Sequence, residues 1–139
     1  MSDQDPSARP VRELRLVVTA DDYEAAVAFY RDVLEMPVSA EYLSEDQGRV
    51  VILEAGVATL EIGDREHAAY VDEVEVGRQV AGHVRVALRV DDARVATDAA
   101  RAAGAQVVAP PTPTPWQSLN ARLEAPADLQ LTLFQDGVG

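Results

Sequence analysis

The side chains able to do chemistry in this chain form a short set: Arg15, Thr59, Glu61, His83, Arg85, Trp116, Asn120, Arg122 and Thr132. A guanidinium stays charged at any working pH and offers five N–H donors in a rigid fork. It can therefore clamp a carboxylate, an enolate or a phosphate through two parallel bonds. Glu61 and His83 are the proton acceptors of the set, although the triplet His83-Val84-Arg85 assigns no acid–base role by itself. The lone tryptophan offers a flat surface, either for a planar ligand or for packing beneath the proline-rich run that follows residue 109. Two absences narrow the chemistry further. The chain has no cysteine, which removes disulfides, thiolate nucleophiles and thiolate-held metals. All 12 basic residues are arginine, so no side chain can form a Schiff base.

These residues share a face because strands alternate. Over 13–20 the even positions Leu14, Leu16 and Val18 are apolar, while Arg15, Val17 and Thr19 fall on the other side. Over 83–90 the apolar face is Val84, Val86, Leu88 and Val90, and the opposite face is His83, Arg85, Ala87 and Arg89. Further strands are predicted over 38–43, 49–54, 58–62, 106–109, 119–124 and 129–135. They put Thr59 and Glu61, and then Gln130, Thr132 and Phe134, on the same side as the arginines. If Leu119, Ala121 and Leu123 pack on a helix, Trp116, Asn120, Arg122 and Glu124 join them. A solvated sheet surface would also be polar, but arginines mixed with aliphatics, small residues and one tryptophan read better as a pocket wall.

The elements that position this face come in two copies. Residues 14–22, LRLVVTADD, align without a gap on 84–92, VRVALRVDD, and Leu53-Glu54-Ala55 aligns on Leu123-Glu124-Ala125 at the same offset. Repetition at this period marks two copies of one supersecondary unit. After the first strand, Asp21 is expected to cap a helix with Glu24 completing a capping box. Tyr23, Ala26, Val27, Tyr30 and Leu34 form its stripe, packed on the even face of the strand, and Pro37 stops it. The second helix, 92–103, is expected to turn Val95, Ala99 and Ala102 inward and to stop at Gly104. The expected organisation is an α+β chain of two tandem βαβββ modules forming curved mixed sheets. An unstructured lead covers 1–12, the first module 13–64, a charged connector 65–82, the second module 83–135 and a tail 136–139. The prolines of 110–115 must lie on a rim loop or a sheet edge.

With 24 acidic against 12 basic residues the formal charge is −12, which argues against nucleic acid and anionic membrane as partners. No apolar run approaches the roughly 18 residues of a membrane span, and no signal-peptide pattern opens the chain. A cytoplasmic location is the expectation.

Paired βαβββ modules carrying Asp22, Phe29-Tyr30-Arg31-Asp32, Leu34, Pro115-Trp116 and Ala125-Pro126 resemble the vicinal-oxygen-chelate superfamily. This is the glyoxalase, bleomycin-resistance and extradiol-dioxygenase group, and the resemblance runs over residues 13–135. Its metalloenzymes hold one divalent ion through a histidine on the first strand, a glutamate on the fourth, a histidine on the fifth and a glutamate on the eighth. The corresponding positions here are Arg15, Glu61, Arg85 and Thr132, so the resemblance implies a member of the metal-free type, with no metal and no cofactor. The leading expectation is a homodimeric, metal-free small-molecule-binding protein that sequesters an antibiotic or another planar metabolite. Stacking on Trp116 and fixation by Arg85, Arg122, Asn120 and Glu61 would hold the ligand. The alternative is a lyase, isomerase or cyclase in which Arg85 or Arg15 stabilises an anion and Glu61 or His83 is the base. A divalent-metal glyoxalase or dioxygenase is the third reading. Arg15 and Arg85 should approach each other with Glu61 between them. Either the three form a closed ion network, or one arginine takes Glu61 and the other stays free for a ligand anion.

Overall fold

The computed structural model describes residues 10–138. The first module runs β1 (Val11–Thr19), α1 (Tyr23–Val27), β2 (Val38–Ser44), β3 (Gly48–Ala55) and β4 (Ala58–Gly63). After α2 (Arg65–Glu75) the second module repeats the order as β5 (Val84–Val90), α3 (Ala93–Ala102), β6 (Gln106–Pro113), β7 (Ser118–Ala125) and β8 (Leu129–Asp136). The eight strands form one mixed sheet in the order β2-β3-β4-β1-β5-β8-β7-β6. β1 is parallel to β4 and β5 to β8, as the repeat requires. The two modules join where β1 meets β5 antiparallel, with Leu16 opposite Val86 and Val17 opposite Arg85.

Each helix packs on one side of this sheet, but not with the contacts that periodicity suggests. Asp22, not Asp21, caps α1 by accepting the Ala25 N–H at 3.0 Å, while Asp21 pairs with Arg65. α1 continues as a wider π-helical stretch over Ala28–Val33. Its Tyr23 and Val27 form a core with Val51, Leu53 and Ile62 of β3 and β4. The even face of β1 is left open, with Leu14 47% and Leu16 37% exposed. The connectivity explains this: the helix must carry the chain from β1 to the edge strand β2, so its path lies over β4 and β3. In the second module Leu119, Ala121, Leu123 and Leu133 pack against Ala93, Ala96 and Ala100 of α3. Val95, expected inside, is 64% exposed. Asp92 sets the phase of that helix by accepting the N–H groups of Arg94 and Val95, and the resulting inward face is made of small residues.

The prolines of β6 lie on the outer strand of the sheet, where a missing N–H breaks no central ladder. Of the lead expected over 1–12, residues 1–9 fall outside the described part, and β1 already begins at Val11. Of the tail expected over 136–139, Asp136 ends β8, the Val138 N–H donates to the Gln117 carbonyl at 3.0 Å, and Gly139 is outside the described residues. Among the described residues no helix is long and apolar enough to cross a membrane.

Candidate active site

The connector is the 11-residue helix α2, and it lies over the sheet face opposite α1 and α3. Asp64 caps it by accepting the His67 N–H at 2.9 Å. Its buried side is Val71, Asp72 and Glu75. The two acids take charge-assisted bonds from β7: Arg122 Nη1 donates to Asp72 at 2.8 Å, Arg122 Nη2 to Glu75 at 2.9 Å, and Asn120 Nδ2 to Glu75 at 2.7 Å. The other Asp72 oxygen accepts the N–H groups of Val80 and Ala81, each at 2.8 Å, tying down the chain that leads into β5. Gln130 accepts a further bond from Arg122 at 2.9 Å, and Ser118 Oγ donates to Asn120 at 2.6 Å. Arg122 is fully buried among these acceptors. The expectation that Arg122 holds a ligand is therefore corrected: it anchors α2. Asn120 still lines the cavity described next, with its amide committed to Glu75 and Ser118.

Between α2 and the sheet is a cavity of about 450 Å³, within the size range of small-molecule sites. Arg15, Glu61, Arg85, Thr132 and Phe134 line it from the sheet, Tyr70 and Glu75 from α2, and Trp116 from the loop before β7. Both modules contribute, as the alternation of their strands implies. Trp116 is 41% exposed and sits at the rim, its ring 6.1 Å from that of Tyr70.

The two cavity arginines differ sharply. Arg15 donates to Glu13 at 3.0 Å, lies 3.6 Å from Glu61 Oε1, donates to Thr59 at 3.2 Å and stacks over the Phe134 ring at 5.0 Å. Thr59 also donates to Glu13 at 2.7 Å, so it supports this pair behind the cavity wall. Burial alone would raise the Glu13 pKa. The Thr59 hydrogen bond and the Arg15 charge outweigh that and hold the carboxyl below its ordinary value. Glu13 has the same strand parity as Arg15, so alternation could have found it.

Arg85 is buried, and its Nη1 donates to Thr132 Oγ1 at 2.7 Å. Among the described residues no carboxylate lies within 4.0 Å of it. Burial pushes its pKa below the ordinary value, and Arg122 adds to the push while Glu75 and Glu61 pull the other way from a distance. An arginine so placed remains a cation. Arg15 thus lies beside Glu61, whereas Arg85 lines the cavity with Thr132 as its hydrogen-bond partner.

The histidines exchange places relative to expectation. His83 is exposed on the bend before β5 and does not line the cavity. Parity fails there because the strand begins one residue later, at Val84. His67, in the first turn of α2, lines the cavity with Glu61 and Arg85. The only sequence signal for it was its place in a charged connector.

The residues at the four metal positions of the resembled enzymes do not fit a divalent ion. Two are guanidiniums, which have no lone pair to give, and one is a hydroxyl already bonded to Arg85. Glu61 alone is an anionic donor. Among the described residues no group of three or more His, Cys, Asp or Glu is placed to hold a metal ion.

Comparison with known proteins agrees with this architecture. The sequence pattern of the Glyoxalase/Bleomycin resistance protein/Dioxygenase superfamily matches residues 14–136. No curated protein matches the chain. Among solved structures it is similar to a methylmalonyl-CoA epimerase variant from Streptomyces coelicolor in complex with 2-nitronate-propionyl-CoA. That match has 22% identity, covers 94% of this chain and 100% of that one, and has a TM-score of 0.66. The methylmalonyl-CoA epimerase of Mycobacterium tuberculosis is 19% identical over 91% of this chain and 87% of that one, with a TM-score of 0.60. A superfamily member from Vibrio splendidus is 12% identical over 89% and 98%, with a TM-score of 0.59. At these identities the likeness is one of fold. It nevertheless corrects the leading expectation. Solved structures it resembles are repeatedly methylmalonyl-CoA epimerases, enzymes of the isomerase type, which overturns the expectation of an antibiotic-sequestering protein. The expectation of a metal-free type falls with it, because the likeness is repeatedly to these epimerases.

Proposed function

We propose that this chain, which belongs to the Glyoxalase/Bleomycin resistance protein/Dioxygenase superfamily, is an isomerase-type enzyme that moves a proton on a carbon next to a carbonyl. The observation that carries the reading is Arg85: a buried guanidinium in a ligand-sized cavity, bonded to Thr132 and, among the described residues, paired with no carboxylate. A cation held in that state is preorganised for negative charge that develops on a substrate oxygen. A donor of this kind is worth far more in a water-poor site than in water. Deprotonating a carbon acid sends the C–H electron pair onto the carbonyl oxygen, and the resulting enolate oxygen is the anion Arg85 would hold. Glu61, on the same wall, is the proton acceptor. Its companion Arg15 keeps its carboxylate in place from 3.6 Å. Arg15, Thr59 and Asn120 position this wall, and Trp116 borders the entrance.

The epimerases of similar fold act on methylmalonyl-CoA, a carbon acid of this kind, so that thioester is the first substrate to try. The protein works as a homodimer in this reading, with the open apolar strip over β1 and β5 covered by a second copy. The test is to incubate the protein in D₂O with methylmalonyl-CoA and with a short 2-oxo acid, following loss of the carbon-bound proton by NMR. At least one should exchange faster than its uncatalysed control. Arg85→Met should lower that rate by about 10²–10³-fold. An Arg85→Met protein as active as the wild type removes the reading.

A further inference from the structure

We infer that His67 is a second proton-carrying catalytic residue of this site, working through Nε2 in concert with Glu61. The inference rests on the isomerase reading and adds to it the group that makes inversion at carbon possible.

Three observations converge on this ring. The first is placement. His67, Glu61 and Arg85 line the main cavity, and the same three line a side cavity of about 20 Å³ that also touches Thr19 and Gly63. That volume admits about one water-sized group. Glu61 reaches it from the sheet and His67 from the helix laid over the sheet, so a carbon held near Arg85 has one proton carrier on each element.

The second observation is the tautomer. Nδ1 of His67 lies 3.1 Å from the backbone carbonyl oxygen of Gln47. A carbonyl oxygen can only accept, so Nδ1 must carry the hydrogen, and the neutral ring keeps its lone pair on Nε2. The hydrogen bond on one nitrogen thereby fixes the other as the base.

The third is that the surrounding backbone closes tightly on the start of α2 and on the ring. A Cβ at Gly48 would collide with the His67 backbone nitrogen, and one at Gly63 would sit 3.3 Å from Cδ2 of the ring. Gly48 also has φ +77°, which a residue with a side chain adopts only with strain. The turn between β2 and β3 can close on the start of α2 only because that residue is glycine. The same closure brings the Gln47 carbonyl to Nδ1. The Asp64 cap fixes the backbone of His67, and Tyr70 stands 6.2 Å from its ring. A histidine that merely filled space would not need its tautomer set by a carbonyl that a glycine turn brings to it.

In the step assigned to the pair, one of them takes the proton from carbon as the C–H bond breaks. The electron pair moves into the enolate whose oxygen rests on Arg85. The other group then returns a proton to the opposite face, re-forming C–H with no net change in electrons. From one enantiomer the Glu61 carboxylate is the base and His67, carrying a proton on Nε2 as well as on Nδ1, is the acid; from the other, neutral His67 takes the proton on Nε2 and the protonated Glu61 returns one.

The variant that isolates the role is His67→Asn, whose amide N–H can replace Nδ1–H toward Gln47 while no group replaces Nε2. With methylmalonyl-CoA as probe, wild-type protein should interconvert the two enantiomers. His67→Asn should melt within a few degrees of wild type yet lose interconversion by 10²-fold or more. It should still wash deuterium into the enantiomer whose proton faces Glu61. His83→Asn should behave as wild type. In ¹⁵N-labelled full-length protein the His67 ring should show the Nδ1–H tautomer. An Nε2–H tautomer, or undiminished interconversion in His67→Asn, overturns the assignment. If wild type exchanges and Arg85→Met stops it while His67→Asn is indistinguishable from wild type, His67 alone is excluded. A wild type that exchanges neither probe overturns both the isomerase reading and this one.

Discussion

Glu13 decides which of the two cavity arginines remains available. Its carboxylate takes bonds from Arg15 at 3.0 Å and Thr59 at 2.7 Å, and Arg89 Nε donates to it at 3.3 Å. With Glu61 on its other side, Arg15 is bounded by two acids, whereas Arg85 has a hydroxyl. Since the folded protein holds the Glu13 pKa below its unfolded value, the carboxylate stabilises the fold. That contribution is complete above the unfolded pKa, about 4.3, and is lost as pH falls through the lower folded value. Asp64 shifts in the same direction: burial would raise it, but the N–H groups of His67 and Arg49 and the Arg49 side chain more than compensate. Glu13→Gln should cost about 1–2 kcal/mol at pH 7. The deficit should shrink toward zero in urea titrations run near pH 3, and a deficit independent of pH would contradict this account. Glu13 was visible to alternation at a strand's first turn, but its decisive partners, Thr59 and Arg89, belong to two other strands. Their approach is a matter of sheet order, which no local pattern contains.

At the level of elements, the strands were largely legible and α2 was not, for one physical reason. A strand's alternation is local, so β1, β5 and β8 announce their two faces in the sequence itself. The buried side of α2 is Val71, Asp72 and Glu75, two acids beside one aliphatic, and read locally that is a solvated face. It is buried because Arg122 and Asn120, 50 and 45 residues further along the chain, supply the opposing charge and donors. The inward face of α3 was misread for a related reason: Val95 is the most apolar residue of the helix, yet close approach to the sheet selects Ala93 and Ala96. The ion cluster makes a clear demand. Arg122→Leu would leave Asp72 and Glu75 buried without their cation and should cost about 3–5 kcal/mol. Hydrogen exchange should locate the loss first in α2 and in the segment around Val80 and Ala81, whose N–H groups rest on Asp72. If α2 stays as protected as in wild type, the cluster does not anchor it.

At the level of the whole molecule, the repeat made the two-module architecture readable, while the join between modules leaves a feature the repeat does not describe. α1 crosses toward β2 and α3 toward β6, so both helices move away from the centre of the sheet. Along β1 and β5 this bares Val11, Leu14, Leu16 and Val84, which are 37–47% exposed, with Phe29, Val33 and Leu34 exposed at the end of the first helix. The bared residues lie on the face opposite the cavity, so covering them would leave the site open. Because β1 and β5 are copies of one strand paired antiparallel, the strip is close to two-fold symmetric. Such a surface is suited to meeting itself in an isologous contact. The strongly acidic surface elsewhere, at a formal charge of −12, opposes association, so apolar burial would have to carry a dimer. A stable pair would bury on the order of 1,200 Å² or more in total. Leu16 is near the middle of the strip, and Leu16→Glu would place two carboxylates against each other across the axis. Sedimentation at micromolar concentration should give twice the chain mass for wild type and the single-chain mass for Leu16→Glu, with the variant's cavity still present. Arg85 and Thr132 lie on the other face, so ligand-site chemistry measured in the monomeric variant should change far less than the association. A wild type that sediments as a single chain, or a Leu16→Glu protein that remains paired, would show that something other than a second copy covers this strip.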